Sequence, residues 1–169
     1  MELAALRHDG ATDIDTLLSD TVARLRAEGW RVRGLLMHWP DGAVACGAME
    51  LLDIERGEAY RVSQDLGPMS RGCRADPQGF ARAATVLRRA LQETPAPDLV
   101  VINRFGSQEA EGGGLRAELL DLLSAGVPVL TAVSDKHQAA WDAFSGGVER
   151  LAPEALPDWL AGLPAAAAR

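Results

Sequence analysis

The sequence predicts a three-layer α/β fold, a mostly parallel β-sheet with helices on both faces and an antiparallel β-hairpin inserted in its first half. Three observations predict it. Apolar runs of strand length recur at residues 3–6, 99–102 and 127–133, as expected of strands covered on both faces. Between and after them, apolar residues return every three or four positions, the period of helices with one buried face. Early in the chain, RVRGLLMHW (31–39) leads through Pro40-Asp41-Gly42 into a second run ending at Ile54, which reads as a hairpin.

In chain order, the first strand ends at His8-Asp9-Gly10. Ile14, Leu17, Leu18, Val22 and Leu25 then mark one face of a helix that Gly29 stops, with Thr12 or Asp13 as its cap. After the hairpin, Arg56-Gly57-Glu58 is a turn before AYRVSQ (59–64), and DLGPMSRGCRAD (65–76) is expected to form a long loop. Asp76 as N-cap and Pro77 at the first helical position open a helix whose buried face is Phe80, Ala84, Leu87 and Leu91. Residues 99–102 are expected to form a central parallel strand. A helix at 115–123, a buried strand at 127–133 and a short helix over KHQAAWDAF (136–144) complete the alternation. One α/β domain over residues 1–152 is expected, followed by a C-terminal helix and frayed tail at 153–169.

A chain of 169 residues, 47% hydrophobic and 24% charged, can bury one sizeable core. Its net charge of -7 and scattered cationic residues argue against a nucleic-acid partner. No apolar run approaches a membrane span and MELAALRHDG is not a secretion signal, so a cytoplasmic protein without membrane insertion is expected. Cys46 and Cys73 fit neither a disulfide framework nor a zinc knuckle, and no metal is expected.

Ligands of such folds sit at the carboxyl ends of the strands, where three loops should gather: HDGATD, the segment ending in RGCRAD, and NRFGSQEAEGGG. A phosphate cradle after the first strand needs G-x-x-x-x-G-K-[ST], and Asp9, Asp13 and Asp15 stand there instead. Where a nucleotide-hydrolysing enzyme ends a strand with a magnesium-holding aspartate, this chain has Asn103 followed by Arg104. Arg71, Gly72, Cys73 and Arg74 precede a helix and read either as an oxyanion pocket or as a solvated basic loop. Glu109 is expected to pair with Arg104 or Arg116, and His137 either faces the ligand edge or is a surface residue.

Gly106 and Glu109 stand in register with the strand-end motif hhhDE-x-G-x-x-E, and this stretch resembles the small nucleoside triphosphatases of the P-loop superfamily. RVRGLL, RVSQDLGPMSRGCRAD, VVINRFGSQEAEGGGLR and GVPVLTAV are more closely similar to the bacterial domain-of-unknown-function family 2478. Its N-[KR]-F-G-x-x-E-A-x-G-x-G-x-R pattern is filled by Asn103, Arg104, Phe105, Gly106, Glu109, Ala110, Gly112, Gly114 and Arg116. The resemblance implies a P-loop-like frame, a nucleoside-triphosphatase label given by similarity, and an association with molybdate-transport genes.

The first functional reading is therefore a non-catalytic binding or accessory protein that holds a small anion or a nucleotide on a degenerate nucleoside-triphosphatase frame. Its expected site is Arg71, Gly72, Cys73, Arg74, Asn103, Arg104, Gly106, Glu109 and Arg116, with no assigned cofactor or catalytic residue and a homo-oligomer or a transporter as partner. The alternatives are an active nucleoside triphosphatase with a rearranged site, and an interaction module whose exposed Trp39, Trp141 or Trp159 marks the contact.

Overall fold

The computed structural model describes residues 2–40, 48–64 and 74–167. Its elements are β1 (Leu3–His8), α1 (Ile14–Ala27), β2 (Val32–His38), β3 (Glu50–Asp53), β4 (Ala59–Arg61), β5 (Ser63–Gln64) and β6 (Arg74–Ala75). There follow α2 (Pro77–Gln92), β7 (Leu99–Ile102), α3 (Ser107–Ala110), α4 (Arg116–Ser124), β8 (Val129–Ser134), α5 (Gln138–Ser145), β9 (Arg150–Leu151), α6 (Leu156–Ala161) and α7 (Pro164–Ala167). A seven-stranded sheet runs in the order β4-β3-β2-β7-β8-β1-β9, and β5 pairs separately with β6.

β7 pairs in parallel with β2 on one side and β8 on the other, and its residues Leu99, Val100, Val101 and Ile102 are all buried. The continuous apolar run thus has the cause expected of it, cover on both faces. Alternate side chains feed two cores. Leu3, Val100, Ile102, Val129 and Val133 meet α2, α4 and α5 on one face. On the other face, Leu6, Leu99, Val101 and Leu130 meet Ile14, Leu18, Val22 and Leu25 of α1 and Leu156 and Leu160 of α6. The antiparallel partners β3 and β4 extend the sheet beyond β2 and form its edge. No described helix is long and apolar enough to cross a membrane.

Both long helices start as their sequences direct. Asp13 caps α1 by accepting the Thr16 amide, and Asp76 caps α2 by accepting that of Gln78, with Pro77 at the first position. Three expectations need correction. Leu91 is exposed, because the buried stripe of α2 runs through Ala83, Val86, Leu87 and Ala90 and Leu91 lies a further 100° round the helix. The loop expected over 65–76 is not irregular to its end: Arg74 and Ala75 form β6 and pair with Ser63 and Gln64 of β5, which the buried Val62 separates from β4. Trp141 is buried completely, edge-on to Phe105, with its indole N–H donating to the Val148 carbonyl, so it marks no exposed contact. Asp41 and Gly42 of the expected hairpin turn lie outside the described residues.

Candidate functional site

The chain leaving β7 is held from both sides. The Asn103 amide donates to the Leu35 carbonyl of β2 (3.0 Å) and the Phe105 amide to the Ala132 carbonyl of β8 (3.0 Å). Phe105 is locked by rings of α5, with centroids 5.4 Å from Trp141 and 5.1 Å from Phe144. Between these anchors Arg104 has φ 109°, a conformation costly for any residue with a Cβ.

Arg104 and Asn103 share one carboxylate. Asp15, in the first turn of α1, accepts from Asn103 Nδ2 at 3.1 Å and from Arg104 Nη2 at 3.1 Å through each of its oxygens. These bonds orient the Asn103 amide with its nitrogen toward Asp15, since the opposite orientation would set two acceptors face to face. Asn103 is 3% exposed, and its Oδ1, like Arg104 Nε and His8 Nδ1, is buried without a hydrogen-bond partner among the described residues.

Those three side chains line one cavity of about 300 Å³ at the carboxyl ends of β1, β7 and β8. Met37, Met49, Leu51, Val62 and Phe80 form its apolar wall, and Arg74 of β6 also lines it. Arg74 is exposed and forms no ion pair with a described residue. The RGCRAD segment and the NRFG loop therefore meet there through Arg74, Ala75, Asn103, Arg104 and Gly106, whereas Arg71, Gly72 and Cys73 lie outside the described residues.

Glu109 departs from its expected pairing. It is 4% exposed and accepts the amides of Gly106 (2.9 Å) and Leu115 (3.0 Å), so it clamps the loop around α3 instead of meeting Arg104 or Arg116. Burial pushes its carboxyl above the ordinary range against the pull of those amides. Gly114 accommodates the clamp: at φ +57° a Cβ there would lie 2.3 Å from Glu109 Oε1. Arg116 does not line the cavity; its Nη1 donates to the Glu109 carbonyl (3.2 Å) and its guanidinium lies 4.8 Å above the Phe144 ring.

Of the two readings of His137, ligand edge or surface, its place in the cavity wall agrees with the first. His137, from the turn after β8, has Nε2 3.2 Å from Ser107 Oγ and Nδ1 3.0 Å from Ser134 Oγ, and so joins α3 to the end of β8. Burial holds its pKa below the ordinary histidine value, which favours the neutral ring. Only the position of His137 just beyond a buried strand hinted at a place on the ligand edge.

A mostly parallel sheet covered by helices on both faces, with a cavity at its carboxyl edge, defines a three-layer α/β protein, and its fold is like that of a nucleoside triphosphatase. It resembles the solution structure of a human cancer-related nucleoside triphosphatase with a TM-score of 0.68 at 19% identity, over 94% of this chain and 95% of that one. The chain belongs to the family described as Protein of unknown function (DUF2478), which matches residues 3–159. It is also 37% identical over 147 residues to the molybdenum import ATP-binding protein ModC 2 of Bradyrhizobium diazoefficiens. That match covers 86% of this chain but 16% of the relative, so the chain corresponds to a small part of that protein.

Proposed function

We propose that this protein is a cytoplasmic binding or accessory protein that takes a small ligand with an anionic group, an oxyanion or a nucleotide, into the cavity at the strand ends and does not hydrolyse it. The observation that carries the reading is the set of buried, unpartnered polar atoms, Asn103 Oδ1, Arg104 Nε and His8 Nδ1, on residues lining a cavity to which Arg74 adds a cation. Unpaired buried polar atoms are costly, and a bound ligand or ordered water relieves that cost.

The arrangement around α1 supports the absence of hydrolysis. Asp13 accepts the Thr16 amide in the first turn of the helix and Asp15 adds a second carboxylate, which together disfavour a phosphate there. The single lysine of the sequence, Lys136, follows β8 and is absent from the β1–α1 loop. Asn103 brings no charge to a metal, and Arg104 is engaged with Asp15. The similarity to a protein named for molybdenum import supports a link to molybdate transport or homeostasis, with a transporter component as partner.

The test is thermal unfolding with ATP, GTP, molybdate, tungstate, sulfate and phosphate, each added well above its dissociation constant. A ligand at one hundred times its dissociation constant adds about 2.7 kcal/mol. At least one should raise the midpoint, and Arg74→Ala should reduce the shift. No shift and no heat of binding with any of them would refute the reading.

A further inference from the structure

We infer that Ser107 is an activated nucleophile that cleaves esters of short apolar carboxylic acids by acyl transfer, with His137 Nε2 taking its proton and Ser134 holding the ring through Nδ1–H. This goes beyond the binding reading above, which concerns a ligand that is not hydrolysed and uses none of these three side chains.

Geometry comes first. Both ring nitrogens of His137 meet hydroxyls, Nε2 at 3.2 Å from Ser107 Oγ and Nδ1 at 3.0 Å from Ser134 Oγ. A neutral imidazole carries one N–H; placed on Nδ1 and donated to Ser134 Oγ, it leaves the Nε2 lone pair to accept from Ser107. A serine, a base within hydrogen-bond reach and a third group that orients the base form the arrangement that activates a hydroxyl for acyl transfer. Burial and the charge of Lys136 both disfavour the imidazolium, so the ring is free to accept a proton at neutral pH.

Access and rigidity agree. Ser107 is exposed, whereas Ser134 is half-buried at the end of β8, so of the two hydroxyls bonded to the ring that of Ser107 is the one open to a substrate. The chain before Ser107 is fixed by the Phe105 amide on the Ala132 carbonyl and by the Gly106 amide on Glu109 at 2.9 Å. The turn that carries His137 follows directly on β8, the parallel partner of β7. One pair of adjacent strands therefore sets the distance between nucleophile and base.

The surroundings define the substrate. Ser107, Ser134 and His137 line the same cavity as Met37, Met49, Leu51 and Phe80, whose apolar side chains suit an acyl group. A volume of about 300 Å³ keeps that group short. In the first half-reaction Ser107 Oγ bonds to the carbonyl carbon, the ester C–O bond breaks, and the serine proton passes through His137 Nε2 to the departing alkoxide. Water then bonds to the same carbon, the Oγ–C bond breaks, and the water proton returns through His137 to Ser107, leaving a carboxylic acid and an alcohol.

The test is a fluorophosphonate probe on the full chain, read by mass spectrometry, beside hydrolysis of p-nitrophenyl butyrate. The P–F bond of the probe breaks as Oγ–P forms, and trypsin releases Ser107 in FGSQEAEGGGLR (105–116), which holds no other hydroxyl side chain. An adduct on that peptide is expected, together with ester turnover that Ser107→Ala abolishes. His137→Ala should slow both by about a hundredfold or more. Ser134→Ala should slow them about tenfold, and Ser134→Thr, which keeps the hydroxyl, should restore them. The adduct site in the parent decides even where a variant does not fold. No label, label on another residue, label undiminished in a folded His137→Ala, or no ester turnover by the parent would each overturn the inference and leave the binding reading standing.

Discussion

Arg104 Nη2 lies 3.1 Å from both carboxylate oxygens of Asp15, joining the residue beyond the end of β7 to the first turn of α1, 89 positions earlier. The same carboxylate fixes the Asn103 amide. A single acid thus sets the orientation of two consecutive side chains at the carboxyl edge of the sheet and leaves Asn103 Oδ1 facing no partner among the described residues.

Phosphate release from ATP or GTP with magnesium should remain at background. Asp15 is engaged with Arg104 and no lysine stands in the loop before α1. A malachite-green assay showing release proportional to protein and abolished by Asn103→Ala would contradict this expectation.

Arg104→Ala should lower stability by about 1 kcal/mol, the range of a partly exposed ion pair. Arg104→Gly removes the same contacts but accepts φ 109° freely, so it should be more stable than the alanine variant by about 1 kcal/mol. Urea unfolding of the two variants makes the comparison. A glycine variant less stable than the alanine one would mean that this backbone conformation is not strained.

Glu109 should give stability a distinct pH dependence. Burial raises its folded-state pKa above the ordinary 4.5, so between that value and the raised one the folded chain holds more protons than the unfolded chain. Its contribution is therefore full below 4.5 and falls as pH rises through the folded pKa. Glu109→Gln cannot titrate; the parent should lose stability relative to this variant across that window, whatever the constant offset from the altered amide contacts. A difference in unfolding free energy that is flat with pH would refute the assignment.

Gly34→Ala should cost about 3 kcal/mol or more, as a steric conflict inside a sheet does. Gly34 sits in β2 at φ +117°, and a Cβ there would lie 2.0 Å from the Val101 carbonyl oxygen of β7. Gly57→Ala is the control: at φ +72° with no atom within 4 Å, it pays backbone strain alone, about 1 kcal/mol. Equal losses of melting temperature in the two variants would show that the β2–β7 approach is looser than described.

The parts of the molecule legible in the chain are those decided within one element. Residues 99–102 read as a doubly covered strand because burial on both faces removes polar alternation, and β7 is that strand. Thr12 or Asp13 and the Asp76-Pro77 pair read as helix starts because capping is a contact over two or three residues, and the structure gives the first cap to Asp13. Asn103 at the end of a buried strand likewise marked the carboxyl edge of the sheet from sequence, since strand ends in a parallel sheet share one side.

Contacts across the sheet were beyond that reach. Nothing near Asp15 announces Arg104 and Asn103, and nothing near His137 announces Ser107. Glu109 carries the same charge whether it meets a guanidinium or two buried amides, and only the folded loop chooses the amides. Sequence periodicity by itself determined which segments are strands and helices and which of their faces are apolar, because burial leaves its imprint at the repeat of each element. The tertiary structure alone decided the partners at the site, because the order β2-β7-β8-β1 sets which strand ends become neighbours, and side chains remote in sequence then settle their charges and hydrogen bonds in shared space.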